Sequence, residues 1–337
     1  MRKVTALGVL GAVALLASRY LSMRRAIAAV PRQLRSPFML LPFPSSGRSL
    51  SLVRQPFRLT TPSGAGVEVT KRRVDDGVRA VPVRVTTPVG GGVKQPALLW
   101  IHGGGTVLGS PQVESSTIGE LARELNVVVV SPAYRLAPEH PFPAPLDDCM
   151  AALWWMHNNA DELGIDPERI AVGGASAGGG LAAAVAQRSH DEGIVLRAQV
   201  IIYGMLDDRT VLAENHAGRG QFVVTPAGLR FAWSSYLGRE PRTSQAPTYA
   251  APSRRTDLAG LPPAWVGVGD LDVLCPENVD YAERLSACGV KCELVVVPGM
   301  YHGTDAMARE AGEMREFRRS MVNHLRTHLG APHVAKS

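Results

Sequence analysis

Cysteine is scarce in this chain of 337 residues: there are four, Cys149, Cys275, Cys288 and Cys292, with no C-x-x-C pair and no histidine at zinc-finger spacing. A structural metal and a thiol redox motif are thereby excluded, and so few cysteines in so long a chain build no disulfide scaffold. Four buried thiols are expected, with one disulfide, such as Cys288–Cys292, left open should the protein be exported. Aromatic residues make up 6% and charged residues 20% against 45% hydrophobic ones, which excludes disorder, coiled coil, collagen and a polytopic membrane protein. No G-K-[ST] phosphate loop is present, and no G-x-G-x-x-G follows the apolar run ending at Val172.

Acidic residues are missing from the first 35 positions, which hold Arg2, Lys3, Arg19, Arg24, Arg25, Arg32 and Arg35. The whole chain carries only +6, so the body is close to neutral. A basic leader on a neutral body argues against nucleic acid as a partner and for contact with anionic lipid, or for targeting. Val4 to Ala17 is almost wholly apolar. As a helix it would rise about 21 Å, short of the roughly 30 Å hydrocarbon core. The arginines beyond it outnumber Arg2 and Lys3, which would hold the C-terminal side in the cytoplasm. Residues 1–35 are therefore expected to be an uncleaved anchor that keeps the protein membrane-associated on the cytoplasmic side. A cleaved export signal and a soluble lid helix are the alternatives.

From about residue 66 onward, apolar runs of strand length alternate with helical patterns, the order of a mostly parallel sheet covered on both faces. Strands are expected at 97–101, 127–130, 170–172, 198–203, 264–268 and 293–297, with an opening antiparallel pair, 70–75 and 81–86, around Gly77. Helices are expected over 113–125, 146–160, 177–190, 277–288 and 306–328. The alternation breaks over 22–65 and 206–260. Within a single α/β domain of residues 36–337, segments 36–65 and 206–260 are expected to form a lid over a pocket at the strands' C-terminal ends.

The chemistry-bearing residues follow these strands. Gly174-Ala-Ser176-Ala-Gly178 is a G-x-S-x-G turn between a strand and an Ala-rich helix, the context of a nucleophile elbow. His102-Gly103-Gly104-Gly105 follows the strand ending at Ile101, where the amides of Gly103 and Gly104, with that of Ala177, are expected to form an oxyanion hole. His102 itself reads as a structural hydrogen bonder. His302, in Gly299-Met-Tyr-His302-Gly303 after the last strand, is placed to act as the base. The acid must come from Gly269-Asp270-Leu-Asp272; both carboxylates suit by position, and the unused one is expected to cap the helix opening at Pro276.

With these residues in place the chain resembles the hormone-sensitive-lipase-like family of α/β-hydrolases, which includes bacterial esterases and arylacetamide deacetylases. The likeness covers about residues 66–330 and extends to Tyr134-Arg-Leu-Ala-Pro-Glu-His140, Pro143-Ala-Pro-Leu-Asp-Asp148 and Leu261-Pro-Pro263. It implies the α/β-hydrolase fold and a serine carboxylester hydrolase that needs no cofactor and no metal. In related sequences the acid lies nine residues before the tyrosine of a Tyr-Ala-x-Arg-Leu helix, which from Tyr281 assigns Asp272 to Ser176 and His302. One departure is Ala175, where many members carry aspartate before the nucleophile. Small-molecule esters with short to medium acyl chains, or aryl esters, are the expected substrates. Arylamide hydrolysis and ligand binding without turnover are the alternatives.

Overall fold

A computed structural model of the protein describes residues 21, 23–47, 50–55, 63–75 and 80–331. Among these residues, eight strands form one sheet: β1 (Val67–Asp75), β2 (Ala80–Pro88), β3 (Gln95–Ile101), β4 (Val128–Pro132), β5 (Ile165–Ala175), β6 (Ala198–Ile202), β7 (Ala264–Gly269) and β8 (Cys292–Val297). Their order is β1-β2-β4-β3-β5-β6-β7-β8, antiparallel at β1–β2 and β2–β4 and parallel throughout the rest. The apolar runs of the central strands are continuous because both sheet faces are covered. Successive residues of β3 alternate between two cores: Leu99 and Ile101 face one, Leu98 and Trp100 the other.

The first core is closed by α2 (Ala144–Asn158) and α3 (Ala177–Asp191), through Leu146, Leu153 and Leu181; the second by α1 (Ser115–Leu125) and α6 (Gly312–Leu329), through Leu121, Phe317 and Leu325. Helix α5 (Cys275–Ala287) buries Tyr281 and Leu285 against Ile201 and Val266. The chain leaves β3 for β4 on one side and returns to β5 on the other. This reversal opens a crevice at the C-terminal ends of the strands, the place where open α/β sheets bind ligands.

One expected helix and one boundary need correction, and one irregular segment gains a helix. The helix read over 306–328 is broken: a short helix at Thr304–Met307 ends at Ala308, and α6 starts only after the extended Ala311. Between them Arg309 forms an ion pair with Glu120 of α1. Segment 206–260 contains α4 (Pro226–Leu237), whose signals were legible: Thr225 accepts from the Gly228 amide, Pro226 opens the helix and Gly238 closes it at φ 66°. The boundary at residue 35 also cuts through packed structure, since Ile27, Val30 and Leu34 are buried against Met300 and Tyr301, and the Tyr301 hydroxyl donates to the Leu34 carbonyl at 3.1 Å. The apolar stretch from Val4 to Ala17 lies outside the described residues. Among those that are described, no helix is long and apolar enough to cross a membrane. Of the four thiols, Cys149 and Cys275 are buried, whereas Cys288 and Cys292 are only partly so and are not bonded to each other.

Candidate active site

Strand β5 ends at Ala175 and α3 begins at Ala177, so Ser176 makes the whole turn, at φ 58° and ψ −122°. A non-glycine residue held there stores about 1–3 kcal/mol of strain and persists only because its surroundings over-determine it. Here the Ser176 amide donates to the Ile202 carbonyl at 2.9 Å, and its own carbonyl accepts from the amides of Gly180 and Met205, each at 3.0 Å. The flanking glycines are steric necessities. A Cβ on Gly178 would run into the Ile101 carbonyl, and one on Gly174 into the carbonyls of Ile101 and Gly178.

The loop after β8 carries His302 to this serine: Nε2 lies 3.0 Å from Ser176 Oγ, and Nδ1 lies 2.7 Å from Asp272 Oδ2. Asp272 and His302 are both buried, and an ionised carboxylate only accepts, so Nδ1 carries the hydrogen and Nε2 is left bare toward the serine. Asp272 Oδ1 accepts from the Leu274 amide at 3.0 Å, which fixes the carboxylate plane. Asp270 does not cap α5. Its Oδ1 accepts from the Gly299 amide at 2.7 Å instead and ties the acid-bearing loop to the histidine-bearing one.

The oxyanion loop departs from expectation in one amide. Gly103 N–H donates to Glu114 Oε1 at 2.9 Å and is therefore taken. Gly104 and Gly105, at φ 114° and 61°, line the cavity with amides that have no hydrogen-bond partner among the described residues; the Ala177 amide at the start of α3 is likewise without one among them. The donors available to an oxyanion are thus Gly104, Gly105 and Ala177. Gly104 also cannot carry a side chain, because a Cβ would meet the Leu108 carbonyl.

Behind this loop, His102 stacks on Tyr134 with ring centroids 4.2 Å apart, and Nδ1 sits 2.8 Å from the Gly103 carbonyl. Burial, offset in part by that hydrogen bond, pushes the His102 imidazole down to about 4, which keeps it neutral and structural. The Tyr134 hydroxyl donates to the His102 carbonyl at 2.9 Å. Next to it, Arg135 grips the buried Asp148 through its backbone amide and its guanidinium, at 2.8 Å in each case. The Tyr-Arg and Asp-Asp motifs of the sequence therefore act as the brace of the glycine loop.

Ser176 and His302 face a cavity of about 280 Å³ lined by Phe43, Val113, Val224, Leu229 and Met307 together with the glycine loop. Phe43 and Val224 come from the two segments that interrupt the strand–helix alternation. Three polar residues at this site went unread in the sequence. Tyr203 packs on His302, with centroids 4.5 Å apart, and donates to Asp305 Oδ1 at 2.7 Å; burial raises both of their pKa values. Glu114 is the third: burial pushes its carboxyl up to about 7 against the pull of its two hydrogen bonds. Asp305, three residues past His302, stood close enough to be found; Glu114 reaches the site only through folding.

A serine on a strand-to-helix elbow, a histidine and aspartate on later loops and free amides on the neighbouring strand's exit define a serine hydrolase of the α/β type. A family model described as the alpha/beta hydrolase fold matches residues 98–306. The carboxylesterase NlhH of Mycobacterium tuberculosis is 35% identical over 243 residues, covering 68% of this chain and 72% of its own. A bacterial heroin esterase superposes with a TM-score of 0.81 at 35% identity, over 90% of this chain and 99% of that one. The esterase LipW from Mycobacterium marinum gives 0.80 at 31% identity, over 91% and 98%. The chain belongs to the hormone-sensitive-lipase-like α/β-hydrolases and is a carboxylesterase-like serine hydrolase.

Proposed function

We propose that Ser176, activated by His302 and Asp272, hydrolyses short- to medium-chain acyl esters and aryl esters through a covalent acyl-enzyme. The supporting observation is the continuous path from Asp272 Oδ2 through His302 to Ser176 Oγ, with links of 2.7 and 3.0 Å. His302 Nε2 takes the hydroxyl proton as Oγ attacks the ester carbonyl carbon. The amides of Gly104, Gly105 and Ala177 hold the resulting oxyanion, each such donor contributing about 2.7–4 kcal/mol to the transition state. The carbon–oxygen bond to the alcohol breaks as His302 returns the proton to it. Water, deprotonated by the same nitrogen, then releases the carboxylic acid and restores Ser176.

A cavity of about 280 Å³ lies just below the roughly 300–1,000 Å³ range of ligand sites, and its apolar lining suits a modest acyl chain or an aryl ring. The segments that supply Phe43 and Val224 act as its lid. Along the series of p-nitrophenyl acetate, butyrate, octanoate and palmitate, kcat/KM is expected to peak at butyrate or octanoate and to be at least about tenfold lower for palmitate. A maximum at palmitate, or none of the four cleaved, would contradict the assignment.

The leader is proposed to hold the enzyme at an anionic membrane surface. Arg24, Arg25, Arg32 and Arg35 are exposed, as are the apolar Leu21, Phe38 and Leu41. The full chain is expected to sediment with vesicles containing phosphatidylserine at low salt, and a chain lacking residues 1–20 with Arg24→Glu and Arg25→Glu to stay in the supernatant. Equal partitioning of the two would rule this out. Residues 27–34 are kept because Ile27, Val30 and Leu34 among them pack into the core.

A further inference from the structure

Glu114 stands immediately before α1, yet its side chain caps nothing there. It turns back to the catalytic cavity, which it lines. Oε1 accepts from the Gly103 amide at 2.9 Å, and Oε2 accepts from the Trp100 indole nitrogen at 2.6 Å. Both donors belong to the segment that runs from the end of β3 into the glycine loop. Trp100 is a rigid anchor, only 1% exposed, and its ring lies so close to Gly173 that a Cβ there would sit 3.1 Å away. The carboxylate therefore spans a fixed point on β3 and the first peptide of the loop.

We propose that Glu114 is a positioning residue for ester hydrolysis: by holding the Gly103 amide it orients the next two peptides so that the Gly104 and Gly105 amides face the oxyanion. The inference rests on the Ser176 acyl-enzyme reading. Its physical basis is the demand for two acceptors. Two N–H groups converge on Glu114, and its ionised form, predominant above about pH 7, offers an acceptor oxygen to each, whereas a carboxamide must turn its NH₂ toward one of them. The other titratable groups around Glu114 are Asp305, which pushes its carboxyl further up, and Tyr134 and Tyr203, both held protonated by burial. None of these bonds the Gly103 amide: the Tyr134 hydroxyl donates to the His102 carbonyl and the Tyr203 hydroxyl to Asp305, while Gly103 N–H is held by Glu114 alone among the described residues.

Glu114→Gln, Trp100→Phe and the double variant of the full chain separate positioning from folding. With p-nitrophenyl butyrate, Glu114→Gln is expected to lower kcat by about 10- to 100-fold, less than or up to the loss of one whole oxyanion donor, with KM changed by less than about threefold. Affinity for a trifluoromethyl ketone, which forms a hemiketal oxyanion on the serine, should fall by the same factor as kcat. In the double variant the indole N–H is gone, so the carboxamide oxygen can serve Gly103 while its NH₂ faces a ring edge. Its kcat should recover at least about fivefold over Glu114→Gln even if its melting temperature is lower. A kcat within about twofold of wild type in Glu114→Gln, a loss not mirrored in ketone affinity, or no recovery in the double variant would each overturn the proposal. Ser176→Ala run alongside distinguishes the two levels: if it too keeps full activity, it is the acyl-enzyme reading that fails.

Discussion

Replacing Ser176 by alanine is expected to lower kcat on p-nitrophenyl butyrate by about 10⁶-fold while leaving a folded protein. The loss is this large because histidine and aspartate have no task without the nucleophile, so removing one member disables the unit. The fold should survive, since among the described residues Oγ hydrogen-bonds only to His302 Nε2, a partner that faces the cavity, and alanine keeps the backbone hydrogen bonds of the turn. Alanine also keeps the strain, for φ stays near 58°. Glycine would relieve it. Ser176→Gly should therefore be equally inactive and melt higher than Ser176→Ala, by an amount worth about 1 kcal/mol. Circular dichroism melts beside burst-phase assays check both halves, and an alanine variant with residual activity above about one hundredth of wild type would remove Ser176 from the nucleophile's role.

The elbow was readable in sequence because its signature is local, two glycines spaced two residues either side of the serine, although the carbonyl they must clear, that of Ile101, lies on β3. The sheet was readable for a different reason, since strands buried on both faces read as near-continuous apolar runs, as β3, β4 and β6 do apart from Gln95, Ser131 and Gln199. What escaped depended on distant partners. Whether Gly103 or Gly105 offers its amide is decided by a carboxylate eleven positions further on, and nothing in four consecutive residues, His-Gly-Gly-Gly, encodes that orientation. The break before α6 coincides with an ion pair from Arg309 to Glu120, a contact between elements far apart in the chain. The leader's boundary failed likewise: the basic residues of 24–35 alternate with Ile27, Val30 and Leu34, whose burial only the packed body reveals.

The choice between Asp270 and Asp272, open in the bare sequence, leads to the second large effect. Asp272→Asn is expected to lower kcat/KM by about 10⁴-fold. Asparagine can keep the Leu274 amide on its oxygen, which then places its NH₂ where Oδ2 now meets His302 Nδ1. That NH₂ must donate, so Nδ1 becomes the bare nitrogen and the hydrogen moves to Nε2, pointing at Ser176 Oγ. The base is then lost without any displacement of the ring. Asp270→Asn should behave differently, because its oxygen still accepts from the Gly299 amide and the loop carrying His302 stays in place; kcat/KM is expected to remain within about threefold of wild type. Measuring both variants on one ester under the same conditions compares two carboxylates two residues apart. A large loss at Asp270 with little at Asp272 would move the acid and force the histidine loop to be redrawn around it.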